Sequence, residues 1–274
     1  MTQTILVTGA TGYIAKHLIF QLLQKGFAVR GSVRSLDSEA ILRSDLIAAG
    51  LTPETVTAGL SCVVLDLGAD AGWDAALTGV DALMHTASPF PLAAPKDEET
   101  LIRPAVDGTI RALKAAKNAN VHRVILTSSA AAIVSYPQKP GGAPFDETDW
   151  ADLETSAAYP KSKTLAERAA WDFVSTDAPD IALTTINPGL VLGPPIGQRY
   201  GSSLQVVERA LSGKDPMLPD MGFASVDVRD VAAAHIAALE RPESAGQRFA
   251  CSGGYLEFSD FSAILKAQYP DRKI

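Results

Sequence analysis

The sequence predicts an α/β fold: a doubly wound parallel sheet followed by a smaller C-terminal lobe. Three observations point there. Short β-rich runs alternate with helical patterns through most of the 274 residues, an alternation that packs helices on both faces of a parallel sheet. A turn with spaced glycines joins the first such run to the first helical pattern. After "NPGLVLGPP" the alternation gives way to Pro- and Gly-rich loops with short helices, which mark a smaller, irregular lobe.

Taken in order, "TILVTG" (4–9) is β-rich, and the helical stretch after it runs to Gly26 with Ile14, Leu18 and Leu22 four residues apart. "AVRGSVR" (28–34) is the second strand, followed by a mixed helix through Ala49. "CVVLDL" (62–67) and "DALMHTA" (81–87) are the next strands, then a long helix near 98–118, "RVILTSS" (123–129), a helix from Tyr159 and "IALTTINPG" (181–189). Late in the chain "VDVRDVAAAHIAALE" reads as a regular helix, with Asp227 as its N-cap and Asp230 in its first turn.

Composition narrows the function. With 47% hydrophobic and 20% charged residues the chain is a globular protein with ample core. A net charge of −7 and a pI near 5.1 argue against binding nucleic acid, which needs a basic surface. No apolar run approaches the ~20 residues of a membrane span, and no basic region precedes "TILVTGATG" as a targeting signal would require. The expected location is cytoplasmic. Cys62 and Cys251 lie far apart, the four histidines are scattered and no His-Glu-x-x-His occurs, so no metal site is expected.

"TGATGYIA" places Gly9, Gly12 and Ala15 between the first strand and the first helix. Gly9 suits the tight turn, Gly12 lets backbone N–H groups approach a pyrophosphate, and Ala15 lets the helix pack closely. The helix N-terminus itself attracts the anion. This is a dinucleotide site, so the fold expected is a Rossmann-type doubly wound parallel sheet. Residues 1–187 form the dinucleotide-binding domain, rejoined by 226–240, and 188–274 form the smaller C-terminal substrate lobe. An NAD site usually carries an acid near the end of the second strand to bind the ribose 2′-hydroxyl. Here that stretch has Arg30, Ser32, Arg34 and Ser35 and no acid between Val29 and Leu36. An arginine there can fork onto a 2′-phosphate, which favours NADP(H). Asp66, at the end of the third strand, can accept from an adenine amino group or cap a turn.

Two Tyr-x-x-x-Lys pairs occur, Tyr159/Lys163 in "AAYPKSKTLAER" and Tyr269/Lys273 in "YPDRK". Only the first opens a long helical pattern, with Leu165, Ala169 and Phe173 on one stripe and Ala166, Ala170 and Val174 beside it. Pro160 falls in the first turn, where its missing N–H costs nothing. Residues four apart share a helix face, and Ser129 ends a preceding strand, the edge where ligands sit in open α/β sheets. A free tyrosine titrates near 10. Bringing it near 7 needs roughly 4 kcal/mol, which a lysine ammonium at about 4 Å supplies at an effective dielectric near 20. Tyr159 can then protonate a carbonyl oxygen as hydride reaches carbon, with Ser129 bonding the same oxygen. Tyr269 reads as a terminal surface residue.

Together "TGATGYIA", "LDL", "HTASPF", "LTSSAAA", "YPKSKTLAERAAWDF" and "INPGLVLGPP" resemble the extended short-chain dehydrogenase/reductases. The branch most similar is that of dihydroflavonol 4-reductase, cinnamoyl-CoA reductase and the ketone/aldehyde reductases. The resemblance covers nearly the whole chain. It implies catalytic Ser129, Tyr159 and Lys163, with Lys163 also holding the nicotinamide ribose. It implies cofactor contacts from Gly9, Ala10, Thr11, Gly12, Tyr13 and Ile14, and from Arg34, Asp66 and Leu67. Thr86, Ala87, Ser88, Thr127, Pro188, Gly189, Leu190 and Val191 complete that set.

The departures bear on substrate. Val134 stands about where flavonoid reductases carry an Asn, and "SAAYPKSK" replaces the "NWYCYGK" of cinnamoyl-CoA reductases, so neither plant activity is expected. "SPFPLAA", "AAAIVSY" and "LVLGPP" predict an apolar pocket for a hydrophobic ketone or aldehyde. Relatives continue beyond a position like Ile274, so an abbreviated lobe is expected. The expectation is thus an NADPH-dependent carbonyl reductase acting on a small-molecule carbonyl substrate, as a monomer or homodimer. A nucleotide-sugar epimerase or dehydratase on bound NAD is the alternative enzyme. A cofactor-sensing regulator is the alternative without catalysis, and the Tyr–Lys pair counts against it.

Overall fold

The computed structural model describes residues 2–89, 95–134, 139, 142–198, 200–214 and 217–272. In its first part β1 (Thr4–Val7), α1 (Tyr13–Gln24), β2 (Ala28–Val33), α2 (Asp37–Ala48), α3 (Pro53–Gly59) and β3 (Leu60–Val64) follow one another. Next come α4 (Trp73–Leu77), β4 (Ala82–His85), α5 (Glu99–Asn118), β5 (Arg123–Thr127), α6 (Ala158–Thr176) and β6 (Ala182–Pro188). The last part holds β7 (Leu190–Leu192), α7 (Gln205–Leu211), β8 (Gly222–Asp227), α8 (Val228–Glu240), β9 (Gln247–Cys251), β10 (Gly254–Glu257) and α9 (Phe258–Gln268).

Seven strands form the main sheet in the order β3-β2-β1-β4-β5-β6-β9, and neighbouring strands run parallel. The fold is the doubly wound Rossmann-type sheet. Strand periodicity explains its two covered faces. Ile5 and Val7 join the core beneath α1 and α8, with Leu18, Leu22, Ala232 and Ile236. Leu6 points the other way, into the core with Leu83, Val124, Leu113 and Ala170 beneath α5 and α6. Leu18 and Leu22 of the predicted stripe are fully buried.

Asp227 caps α8 as the sequence implies, its carboxylate accepting from the Arg229 N–H at 2.7 Å. Residues 247–251, read from sequence as part of the lobe, instead pair with β6 as the seventh strand of the main sheet. A second sheet, ordered β10-β8-β7, stands beside it. Gly189 explains how the chain passes from β6 into that sheet: a Cβ there would lie 2.3 Å from the Ala224 carbonyl oxygen, so only glycine fits. The strand order reverses between β1 and β4, and at such a switch point the carboxyl ends of the strands open a crevice. No helix among the described residues is long and apolar enough to cross a membrane.

Candidate active site

Two adjoining cavities, of about 250 and about 610 Å³, open at those strand ends and share Gly9, Gly12, Thr86, Ser88 and Pro89. Their floor is the β1–α1 turn. Gly9 has a φ of +66°, a left-handed conformation that glycine takes without strain. Its N–H donates to the Ser32 hydroxyl at 2.9 Å, and its carbonyl accepts from Gly12 N–H at 2.8 Å. Helix α1 then starts at Gly12 with no side-chain cap, which leaves its first N–H groups for an anion. The uncapped helix end and the two connected cavities fit a dinucleotide.

Thr8, absent from the sequence reading, ties β1 to β4 beneath this floor. Its hydroxyl oxygen accepts from the N–H groups of Thr86 and Ala87, both at 3.1 Å. Its one proton therefore goes to His85 Nδ1, 2.9 Å away. His85 is buried, and desolvation with the nearby Lys163 charge holds its pKa down to about 4.

The larger cavity runs outward past Thr11, Arg34, Asp66, Leu67 and Ala87. Arg34 is exposed and makes no hydrogen bond or ion pair among the described residues. Arg30 is different: its guanidinium donates to the carbonyls of Ala76 and Thr78, at 2.7 and 2.9 Å. Asp66 accepts from Gly68 N–H at 2.7 Å while remaining exposed.

The smaller cavity brings Ser129, Tyr159 and Lys163 together with Ile14, Thr127, Pro188, Gly189 and Val191. Ser129 follows β5 and caps a single 3-10 turn, its hydroxyl accepting from Ala131 N–H at 3.1 Å. That hydroxyl also hydrogen-bonds the Tyr159 phenol. Lys163, one turn along α6, is 8% exposed and sets its Nζ 5.8 Å from the centroid of the Tyr159 ring. Lys161, the other lysine of the segment, turns outward to Glu98 at 3.0 Å.

The electrostatics differ from the sequence expectation. Burial raises the Tyr159 pKa, and the hydrogen bond with Ser129 opposes this; the ammonium stands off the ring and is not among the causes. Burial lowers Lys163 to about 8, against the pull of the Glu167 carboxylate. The phenol is therefore a protonated donor at neutral pH, not a phenol acidified in advance.

Two of the expected contacts do not reach either cavity. Ala10 is core, its N–H donating to the Ser32 carbonyl at 2.8 Å, and Leu190 pairs within the second sheet. Tyr13 lines the smaller cavity, yet its hydroxyl is committed to the Gly193 carbonyl at 2.8 Å. The Thr127 hydroxyl is likewise held by His235 Nε2 at 2.7 Å. One wall was missed altogether: Tyr200, Gly201, Ser202 and Ser203 line the cavity, with the Tyr200 hydroxyl committed to the Glu208 carboxylate. Of the expected pocket segments, Ser88, Pro89 and Val191 line the cavity, and residues 90–94 and 135–136 lie outside the described residues. Tyr269 is exposed at the end of α9, and Lys273 lies outside the described residues.

A sequence profile of the NAD dependent epimerase/dehydratase family matches residues 5–251. The chain belongs to this family. Within it the similarity runs to the reductases that the motifs resemble. A ketoreductase of Aspergillus niger, azaE, is 35% identical over 290 residues, covering 99% of this chain and 84% of that protein. A protein of Candida albicans described as a putative NADPH-dependent methylglyoxal reductase, GRP2, is 35% identical over 286 residues, covering 97% and 83%. The structure of yeast methylglyoxal/isovaleraldehyde reductase Gre2 complexed with NADPH superposes with a TM-score of 0.86 at 31% identity, covering 99% of this chain and 84% of that one.

Proposed function

We propose that the protein is an NADPH-dependent reductase that converts ketones and aldehydes to alcohols. The observation that carries this reading is the Ser129–Tyr159 hydrogen bond, with buried Lys163, inside the cavity floored by Gly9 and Gly12. Two relatives, one described as a ketoreductase and one as an NADPH-dependent reductase, support it.

Bound NADPH supplies the hydride. The turn at Gly9 and the open N-terminus of α1 hold its pyrophosphate, and Arg34 receives the 2′-phosphate through charge-assisted hydrogen bonds. Lys163 holds the nicotinamide ribose. The Ser129 hydroxyl fixes the carbonyl oxygen beside the phenol, where charge develops as the carbonyl is reduced. Tyr159, kept protonated by burial, delivers its proton to that oxygen. As the proton leaves, the Lys163 ammonium stabilises the phenolate across the ring face. Residues 188–274, without the returning α8 and β9, act as the substrate lobe, and Ser202 and Ser203 add hydroxyls to the substrate's wall.

The test is to follow absorbance of reduced cofactor with a panel of hydrophobic ketones and aldehydes. Oxidation of NADPH, well above that of NADH, is expected. Tightly bound NAD with no net turnover would instead point to an epimerase.

A further inference from the structure

Beneath the Ser129–Tyr159–Lys163 corner lies a buried carboxylate to which the reaction scheme gives no part. Glu167 is 1% exposed and sits one helical turn beyond Lys163 on α6. Burying a charge this completely requires partners on all sides, and four elements supply them, the first being α6 itself, whose Trp171 Nε1–H donates at 3.4 Å. The Ser128 hydroxyl donates from the end of β5. Thr185 and Asn187 donate from β6, at 3.0 and 2.7 Å. Arg248 donates from β9 at 2.7 Å, and its guanidinium lies 3.7 Å from the Trp150 ring centroid.

Two of these links lead back to the proposed chemistry. The Asn187 amide donates one hydrogen to Glu167 and, at 3.2 Å, the other to the backbone carbonyl of Ser129. Both neighbours are acceptors, so the NH₂ group must face them, and the orientation of this amide follows from the network. The second link is through charge: the carboxylate counters the desolvation of Lys163.

We propose that Glu167 is a positioning residue of the reductase site, whose carboxylate fixes the backbone of Ser129 through Asn187 and serves as counter-charge to Lys163 from the next turn of α6. This rests on the reductase reading above. Arg248, arriving on the seventh strand from the far end of the chain, completes the device by balancing the charge of Glu167. The groups facing Lys163 are then Tyr159 and Glu167 on α6 and neutral His85 on β4, with Arg248 behind the carboxylate.

Two variants test it. Glu167→Gln/Arg248→Met removes both buried charges together, so that neither is stranded. Its kcat is expected to fall roughly ten- to a hundredfold while NADPH affinity, read by cofactor fluorescence, holds. The alkaline limb of its kcat profile is expected at lower pH than in the wild type. Glu167→Asp keeps the charge but draws it back from Ser128 and Asn187, so kcat should fall while the Lys163 titration stays near that of the wild type. That titration is read by NMR of carbon-13-labelled lysine, assigned with Lys163→Arg, and it needs no turnover. In the double variant it should move to lower pH. A folded double variant with unchanged kcat and unchanged titration would overturn the proposal, as would Glu167→Asp with wild-type kcat. Wild-type protein that binds NADPH but reduces no carbonyl would sink the reductase reading instead, and the lysine titration would still decide the electrostatic half.

Discussion

At one end of the cleft Tyr159 is held by Ser129, and Lys163 is buried above a carboxylate with five donors. At the other end Arg34 and Asp66 stand in solvent, the first with no partner among the described residues and the second with its carboxylate bonded only to Gly68 N–H in the turn that follows it. The contrast follows from what each end must do. A proton has to travel along a fixed line, and a small misplacement is costly. A phosphate or an adenine needs only a charge or an acceptor within reach, and an exposed arginine can swing onto it. Order is concentrated where bonds change.

Holding that order has a cost in stability, and Lys163→Met should expose it. Lys163 titrates at about 8 in the folded chain, below its ordinary 10.5. Between those values the unfolded chain binds the extra proton, so stability rises with pH there. Below pH 8 the penalty of the buried ammonium is fully present. The methionine variant should lose about a thousandfold in kcat at pH 7 and melt no lower than the wild type. A large fall in Tm would show that the lysine stabilises the fold and would break the contrast.

The open end should respond more gently and more selectively. Arg34→Ala removes charge-assisted hydrogen bonds of about 1.5–3 kcal/mol, so the Kd for NADPH should rise roughly ten- to a hundredfold. NADH binding should change little, and equal losses for both cofactors would remove Arg34 from 2′-phosphate recognition.

Much of the closed end is legible in the sequence because its spacing is local. Tyr159 and Lys163 share one helix face, and Gly9 and Gly12 share one turn. The strands could be read because Ile5, Leu6 and Val7 alternate between two covered faces. What escaped is non-local. The Glu167–Arg248 pair is separated by 81 residues, and nothing in "QRFAC" distinguishes a seventh strand of the main sheet from part of the lobe. The wall of Tyr200, Gly201, Ser202 and Ser203 lies in a loop without periodicity, where pattern carries no signal. The acidified phenol failed for a different reason: spacing along a helix fixes which residues meet but says nothing of how dry the meeting place is. Burial raises the phenol, and only the hydrogen bond with Ser129 opposes it.

A further prediction concerns the frame rather than the site. His85 and His235 are buried, and desolvation holds both at about 4. The unfolded chain protonates its histidines near 6.5, so stability is full above that pH and falls as pH drops toward 4, with each histidine contributing on the order of 3 kcal/mol. Melting curves between pH 7 and 4.5 should show this decline, and His235→Gln, which keeps a partner for Thr127, should flatten part of it. An unchanged slope would mean that His235 is not held neutral.

The most direct test is single-turnover reduction by Tyr159→Phe with NADPH already bound, at pH 7. Ser129, Lys163 and the cofactor turn all remain, and only the phenol hydroxyl, with its proton and its hydrogen bond to Ser129, is gone. Cofactor fluorescence should report binding close to that of the wild type, while the rate of NADPH oxidation by a ketone falls by roughly a hundredfold or more. Oxidation at the wild-type rate in that variant would contradict Tyr159 as the source of the proton.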